Sequence, residues 1–484
     1  MKNLLTAEHM RKKNSSSYLM EKAADAFVDV FRTLYDDRSQ SISVLCGQGN
    51  NGGDGLAIAR LLYINGFENI SVYLINFGTN ESTDRAKNVK RLAEEEIIPI
   101  VITEPSQFEN IETDLIIDAV LGSGLNKPFT GKYAALANKV NSLGKTIIAV
   151  DVPTGFPSEG RIDENYKGIK ADLVICFQQP KLNFFFPESV VALNRFEVVD
   201  IGLDEGFIMA QPSDWKLITK PTIKPRKNFT HKGTYGHALI VAGNSTTMGA
   251  ALLAGRACLH TGAGLTTLCL PQSGLIALNA TLPEVMALPR NEHLAAIDFS
   301  KFTAIAIGPG LGLDIENESL LAQLIDLKKP FVIDADALTI LSKRSDLFDK
   351  LPEETILTPH LKEFDRLFGE HRTWWERVAT ARKQAKTRNL IIVLKNQYTF
   401  VCLPNGEVYI NQTGNPGMAS GGMGDVLTGI IVAFLAQSYS SADAAILAVH
   451  VHGKAGDELA KKRFTVSASQ VTDRIPKTIR KMIN

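Results

Sequence analysis

The sequence predicts an α/β fold in two tandem domains, and three observations predict it. Short, nearly continuous apolar runs alternate with helix-like stretches over residues 1–204, the pattern of strands buried on both faces and joined by crossover helices. The pattern lapses in DEGFIMAQPSDWKLITKPTIKPRKNFTHK (204–232), which carries three prolines and a cluster of basic residues. It then restarts from about residue 233. At 484 residues the chain has room for roughly two to four domains of about 100–200 residues each, and the expected division separates 1–210 from 211–484.

In the first domain the strand candidates are SISVLC (41–46), ISVYLINF (70–77), TDLIIDAV (113–120), TIIAVDV (146–152) and ADLVICF (171–177). The intervening helix-like stretches imply a parallel sheet. In the second they are HALIVAG (237–243), TAIAIGPG (303–310), FVIDADAL (331–338), TILTPH (355–360), LIIVLK (390–395), TFVCL (399–403) and EVYIN (407–411). GAALLAGRACLHTGAG (249–264) and GDVLTGIIVAFLAQ (424–437) read as helices.

Hydrophobic content of 45% and charged content of 21% are those of an ordinary globular protein. Lys+Arg and Asp+Glu both number 52, so net charge is zero. Nothing electrostatic points to nucleic acid or an anionic membrane. Cys46, Cys176, Cys258, Cys269 and Cys402 form no C-x-x-C pair, which argues against a disulfide framework or zinc site and for a reducing, cytoplasmic setting. MKNLLTAEHMRKKNSSS lacks the apolar stretch of a signal peptide. The longest low-charge run, Val426 to Ala442, is broken by Gly, Gln, Tyr and Ser and reads as a core helix rather than a membrane span.

The segment CGQGNNGGDGLAIARLL (46–62) contains Gly47-x-Gly49-x-x-Gly52 between a strand and a helix, the letters of a dinucleotide fingerprint. A dehydrogenase would also place an acid at the end of the next strand, which here ends Asn76-Phe77-Gly78. Two other readings remain. Consecutive glycines can turn the backbone so that N–H groups converge before a helix starting near Leu56, making an anion site, with Asn and Asp54 oxygens suited to a hard cation. Alternatively the stretch is a tight turn whose residues tolerate left-handed φ. Two further strand ends favour a site. Asp118 precedes AVLGSGLNKPFTG (119–131), and Asp151 precedes Val152-Pro153-Thr154-Gly155. Loops at the carboxyl ends of parallel strands are where open α/β sheets bind ligands.

NNGGDG, DAVLGSGL and DVPTG resemble the YjeF N-terminal domain, the NAD(P)H-hydrate epimerase. The resemblance implies a doubly wound, Rossmann-like sheet that interconverts the R and S epimers of hydrated NADH and NADPH. It implies substrate contacts at Asn50, Asn51, Gly52, Gly53 and Asp54, at Gly122, Ser123, Gly124, Leu125, Asn126, Lys127 and Pro128, and at Asp151. Asn51, Asp118 and Thr154 would ligate a potassium ion; the family usually has Ser where Thr154 stands, and Thr keeps the hydroxyl. The FPSEGR that follows Gly155 departs from the family. A carboxylate in such a pocket can serve as general acid/base, and Asp151 is the candidate.

In the second half, GNPGMASGGMGDVLTGIIVAF (414–434) sets Gly421-Gly422-x-Gly424-Asp425 before an apolar helix. Glycines there let N–H groups converge on a transferring phosphoryl group. Asp425 either caps the helix or takes the proton of an attacking hydroxyl. No G-x-x-x-x-G-K-[ST] occurs, which excludes a P-loop enzyme. The helix start resembles the ribokinase-like superfamily. HKGTYGHALIVAGN (231–244), IGPGLG (307–312), DADAL (334–338), LTPHLKEFDRL (357–367) and LKNQYT (394–399) resemble the NAD(P)H-hydrate dehydratase family. That resemblance implies phosphorylation of the C6 hydroxyl of the S epimer by ADP, with a magnesium ion, and loss of phosphate to restore NAD(P)H. Asp425 would deprotonate the hydroxyl and Gly421, Gly422 and Gly424 would stabilise the phosphoryl charge. Lys395, Asn396, Gln397, Tyr398 and Thr399 would lie along the nucleotide, and Gly310, Gly312 and His360 would touch the hydrate. The family usually has Gly where Asn396 stands, and a side chain there narrows the nucleotide pocket. His450-x-His452 falls in a helix-like segment, where i and i+2 diverge, so no metal site is expected there. The rival readings are a small-molecule kinase and an N-terminal half that only binds. The expected partners are the hydrates and ADP, with no nucleic acid or membrane, in a homo-oligomer.

Overall fold

A computed structural model describes residues 1–6, 17–109, 111–124, 129–290 and 297–483. It divides into two compact units, Asn3–Ser213 with Thr373–Trp375, and Met1–Lys2 with Asp214–Arg372 and Glu376–Asn484.

The first unit holds a seven-stranded sheet of β1 (Ile42–Cys46), β2 (Ile70–Ile75), β3 (Ile100–Ile102), β4 (Leu115–Ala119), β5 (Thr146–Val150), β6 (Ala171–Phe177) and β7 (Leu193–Val199). Its order is β3-β2-β1-β4-β5-β6-β7, and every pairing is parallel. The order reverses between β1 and β4, the crevice where such sheets bind ligands. Every residue of β1 and β4 is buried, as their apolar sequences require. Sequence reading missed β3 and β7; β7 is an edge strand whose middle is exposed, with Asn194, Arg195 and Glu197 interrupting the apolar run.

One expectation is corrected at the first loop. The helix α1 spans Asn50–Ile64, so it begins at Asn50 rather than near Leu56, and NNGGDG forms its first turns. Nor are the glycines there for left-handed φ, since none of Gly47, Gly49, Gly52, Gly53 or Gly55 has a positive φ. A Cβ on Gly52 would sit 1.8 Å from the Gly47 carbonyl oxygen, and one on Gly55 would sit 2.5 Å from the Ala119 methyl. The glycines let the helix press onto the sheet, as the third glycine of a dinucleotide motif does.

Among the described residues from Trp215 onward the second unit has ten strands: β8 (Trp215–Ile218), β9 (His237–Val241), β10 (Leu265–Leu270), β11 (Met286–Pro289), β12 (Ala304–Ile307), β13 (Phe331–Ile333), β14 (Ile356–Leu357), β15 (Ile391–Leu394), β16 (Thr399–Cys402) and β17 (Val408–Asn411). They run in the order β8-β17-β16-β15-β14-β13-β12-β9-β10-β11. From β15 to β11 the pairings are parallel, while β16 is antiparallel to both neighbours. The order reverses between β12 and β9. The segment 331–338, expected as one strand, is a strand only to Ile333 and a helix from Ala335. β8 occupies part of the presumed linker, and β10 and β11 were also missed.

Helices α2 (Met248–Thr261), α3 (Met423–Ala436) and α4 (Ser441–Ala460) cover one face. Every residue from Val426 to Ala436 is buried, so the low-charge run is a core helix as far as Ala436, and its remainder is a turn and the start of the next helix. Among the described residues no helix is long and apolar enough to cross a membrane. All five cysteines are free and buried. Gly429 sets the α2–α3 contact: a Cβ there would lie 2.2 Å from the Ala254 carbonyl oxygen. Ala is the better helix former by about 1 kcal/mol, but the clash outweighs it, since overpacking costs about 1–3 kcal/mol or more. Gly429→Ala is expected to lower the thermal midpoint of the second unit, read by circular dichroism melts.

Candidate active sites

In the first unit the switch-point crevice gathers most of the sequence-derived candidates. Asp118, the penultimate residue of β4, is fully buried. It accepts hydrogen bonds from the Thr154 N–H (2.7 Å), the Thr154 hydroxyl (2.7 Å) and the Val120 N–H (3.2 Å). Burial pushes its carboxyl up to about 6, against the opposing effect of those donors. Gly122 lies against Asn51, where a Cβ would be 3.2 Å from the side-chain carbons. The Asn51 amide is buried, and its Nδ2 has no hydrogen-bond partner among the described residues; turning the amide over presents Oδ1 to the same space. Asp118, Thr154 and Asn51 thus bring oxygen donors to one locality, the donor type a hard cation takes, and a cation would supply the countercharge the buried Asp118 lacks. Ser123 is partly buried and Gly124 faces open space. Leu125, Asn126, Lys127 and Pro128 lie outside the described residues.

Asn50, Asn51, Gly52 and Gly53 form the first turn of α1, entered from Gly49, and early N–H groups of a helix have no intrahelical acceptor. Asp54 follows on that helix. Burial, then the charges of Asp151 and Asp84, push its carboxyl well above the usual range. Asp151, one residue past β5, has φ of +66°, a left-handed conformation that costs a non-glycine residue about 1–3 kcal/mol and clusters at functional sites. Its Oδ1 accepts from the Phe177 N–H (3.2 Å) and sits 2.6 Å from Lys181 Nζ.

Lys181 was not anticipated. It is buried just beyond the end of β6, and although burial alone would lower its amine pKa, the charge of Asp151 holds it above the ordinary value. The available signal was a lone cation in QQPKLNFFFP directly after a strand. Unpairing a buried carboxylate costs about 3–5 kcal/mol, against about 0–1 for an exposed pair. Lys181→Met is therefore expected to destabilise the first unit far more than Lys139→Met, which breaks the exposed pair with Glu109, as read by parallel urea titrations.

In the second unit α3 is entered through Gly422, at φ of +88°, and Asp425 is its third residue. Behind it Asp334, fully buried at the end of β13, pairs with Lys395 Nζ (2.9 Å) through Oδ1 and accepts from the Thr428 hydroxyl (2.7 Å) through Oδ2. Asp334 is a second residue that sequence reasoning left without a role, although DADAL was noticed. Gly424 permits this crowding, for a Cβ there would be 3.3 Å from Lys395 Nζ. Burial first, then the charge of Asp334, raise Asp425 to about 6, with Lys395 opposing.

Lys395, Asn396, Gln397, Thr399 and Gly424 line one cavity of about 410 Å³, the size of a small-molecule site. Tyr398, Gly421 and Gly422 do not line it, and Gly421 faces open space. Gly310 and Gly312, at φ of +56° and +87°, follow β12. The Gly312 N–H donates to Asp336 (2.8 Å), itself near enough to raise Asp425 further. His360 follows β14 and caps the next helix: its Nδ1 accepts from the N–H groups of Lys362 (3.1 Å) and Glu363 (3.4 Å). Burial lowers its pKa, and the half-exposed ring keeps one edge toward solvent. His450 and His452 lie on α4, and among the described residues no cluster of His, Cys, Asp and Glu is arranged to hold a metal. A magnesium ion would therefore rely on nucleotide phosphates and water with at most one or two carboxylates, which is that ion's habit.

An acid raised to about 6 in the folded chain holds its proton more tightly there than when unfolded. Its stabilising contribution is complete below the ordinary carboxylate pKa of about 4 and is lost as pH rises through about 6. Asp425→Asn removes that loss. The variant is expected to exceed the parent in stability by roughly 1–3 kcal/mol above about pH 7, the difference fading toward about pH 4, in urea melts run at both pH values.

Residues 238–477 match the family model described as NAD(P)H-hydrate dehydratase, and residues 16–183 match that of the YjeF-related protein N-terminus. A bifunctional NAD(P)H-hydrate repair enzyme of Moorella thermoacetica is 32% identical over 500 residues, spanning 96% of this chain and 93% of the relative. Another, from Coxiella burnetii, is 33% identical over 92% of this chain and 90% of its own length. A ribokinase-like superfamily protein of Enterococcus faecalis aligns structurally with a TM-score of 0.52 and 31% identity, covering 56% of this chain and 98% of that one.

Proposed function

This chain belongs to the family of bifunctional NAD(P)H-hydrate repair enzymes, and from that premise we propose that its two pockets act in turn on one damaged cofactor, hydrated NADH or NADPH. The first pocket interconverts the R and S epimers at C6, and the second dehydrates the S epimer at the expense of ADP, giving AMP and phosphate. The observation that carries this reading is the pairing, in each unit, of a glycine-entered helix with a reactive carboxylate beside a buried Asp–Lys ion pair or within it.

In the first pocket burial, then the charges of Asp151 and Asp84, push the Asp54 carboxyl well above the usual range, while Asp151 sits against Lys181. Two carboxyls whose environments differ in this way make an acid and a base. Asp151 takes the C6 hydroxyl proton as the C6–N bond opens to an aldehyde, and Asp54 supplies a proton to the ring nitrogen. Reclosure on the opposite face reverses both transfers and yields the other epimer. The oxygen set of Asp118, Thr154 and Asn51 would hold a potassium ion, which supplies countercharge to an anionic substrate group.

In the second pocket Asp425, with a pKa of about 6, is mostly ionised at neutral pH yet basic enough to accept the hydroxyl proton. The C6 oxygen attacks the terminal phosphorus of ADP and AMP leaves. Loss of the C5 proton and cleavage of the C6–O bond then expel phosphate and restore the ring double bond. Phosphate leaves where hydroxide would not. N–H groups at the start of α3 and the Lys395 ammonium face the developing phosphoryl charge, and a magnesium ion arriving with the nucleotide would neutralise more of it.

Turnover of separated R and S hydrates with ADP and with ATP, followed by the absorbance of the restored reduced cofactor, tests this. Asp151→Asn is expected to abolish use of the R hydrate while S turnover persists, and Asp425→Asn to reduce both by about 100- to 10,000-fold. A parent enzyme that consumes nucleotide on another alcohol, with no rise in absorbance, would make the chain a kinase instead.

A further inference from the structure

The loop 411–418 that walls the cavity described above is fastened to α4 along a polar seam. Asn411 Nδ2 donates to the Val449 carbonyl (3.2 Å), and the Thr413 hydroxyl donates to the His450 carbonyl (3.1 Å). The Gly414 N–H (3.1 Å) and Asn415 Nδ2 (2.9 Å) donate to Asp457. Gly453 and Gly456 allow the approach, since a Cβ on either would fall within 2.4 Å of Thr413 or Met418 atoms. His452 lies in the middle of this seam, lines the cavity, and has a buried Nε2 with no hydrogen-bond partner among the described residues.

A buried polar atom without a partner is costly, and here it borders a space shaped for a ligand. Burial, followed by the positive charge of Lys395, lowers His452 to about 4, so the ring is a neutral imidazole at working pH, able to give one hydrogen bond and accept another. Lys395 and Gly424, at the end of the cavity nearest Asp425, belong to the phosphoryl-transfer machinery, and Met418, Met423 and Leu427 make an apolar wall. His450 also has an unpaired ring nitrogen, Nδ1, but it does not line the cavity, as expected two residues away on a helix.

We propose that His452 is a nucleotide-binding residue, whose Nε2 donates a hydrogen bond to a sugar or phosphate oxygen of the adenine nucleotide seated in this cavity. The inference rests on one part of the reading above, that the cavity of the second unit seats an adenine nucleotide. Its contact is uniform, made equally before and during phosphoryl transfer, so it sets nucleotide affinity rather than the rate of the chemical step.

The test is calorimetric titration of the full chain with ADP and with ATP in the absence of hydrate, beside kcat and KM for nucleotide in its presence. His452→Phe is expected to weaken ADP binding about tenfold and raise KM to match, with kcat within about twofold. His452→Gln, which keeps an N–H donor, should recover part of the affinity, and His450→Phe should leave both constants unchanged. Unaltered ADP affinity in His452→Phe overturns the inference, and so does an equal loss in His450→Phe, which would mark a general weakening of α4. A parent chain that binds ADP but restores no reduced cofactor would refute the dehydratase reading and leave this inference standing. One that binds neither nucleotide would refute both.

Discussion

The arrangement of both units follows from the cost of burying carboxylates at the carboxyl ends of parallel strands. Asp334 is buried where its strand ends, and Asp151, at the end of another, is largely buried; an unpaired charge at such a place would cost several kcal/mol. Each is answered by one lysine from another strand end, Lys181 or Lys395. The bulk of Lys395 also fixes where a side chain must be missing. Gly424 is the clearest case, since any Cβ would crowd the Lys395–Asp334 pair. The placement of Gly424 is thus a consequence of an electrostatic demand.

The same burial separates the acids by role. Asp334 is held in place by its lysine and Asp151 is kept beside Lys181 as the proposed base, whereas Asp54 and Asp425, which have no lysine of their own, are pushed upward by desolvation and by their charged neighbours. A protein interior that only stabilised would have neutralised these groups or replaced them with apolar side chains. Keeping them is a departure from local optimisation of the kind expected at functional sites.

Much of this was legible in the sequence because it is periodic or local. Apolar runs at strand length revealed most of the parallel strands, and the acids Asp118, Asp151 and Asp425 stood beside glycine-rich motifs within a few residues. What was hidden is long-range. Lys181 follows Asp151 by thirty residues and Lys395 follows Asp334 by sixty-one, and no local pattern announces such pairs. The start of α1 was misjudged because Asn-Asn-Gly-Gly is a poor helix former. The close seat offered by Gly47 overrides that propensity, and a sequence does not say which backbone will press on which glycine. Edge strand β7 escaped because its exposed middle carries polar residues that break the apolar run marking its neighbours.

The five buried cysteines carry a consequence for a protein that handles reduced nicotinamides. Burial raises every one of their thiols, all five in strands or helices and Cys176 also beside Asp151, with Cys176, Cys258, Cys269 and Cys402 pushed up to about 12 and Cys46 higher still. Peroxides and electrophiles attack the thiolate, and none of these sulfurs offers one at neutral pH. Buried and held as thiols, the five cysteines are poor targets for oxidants.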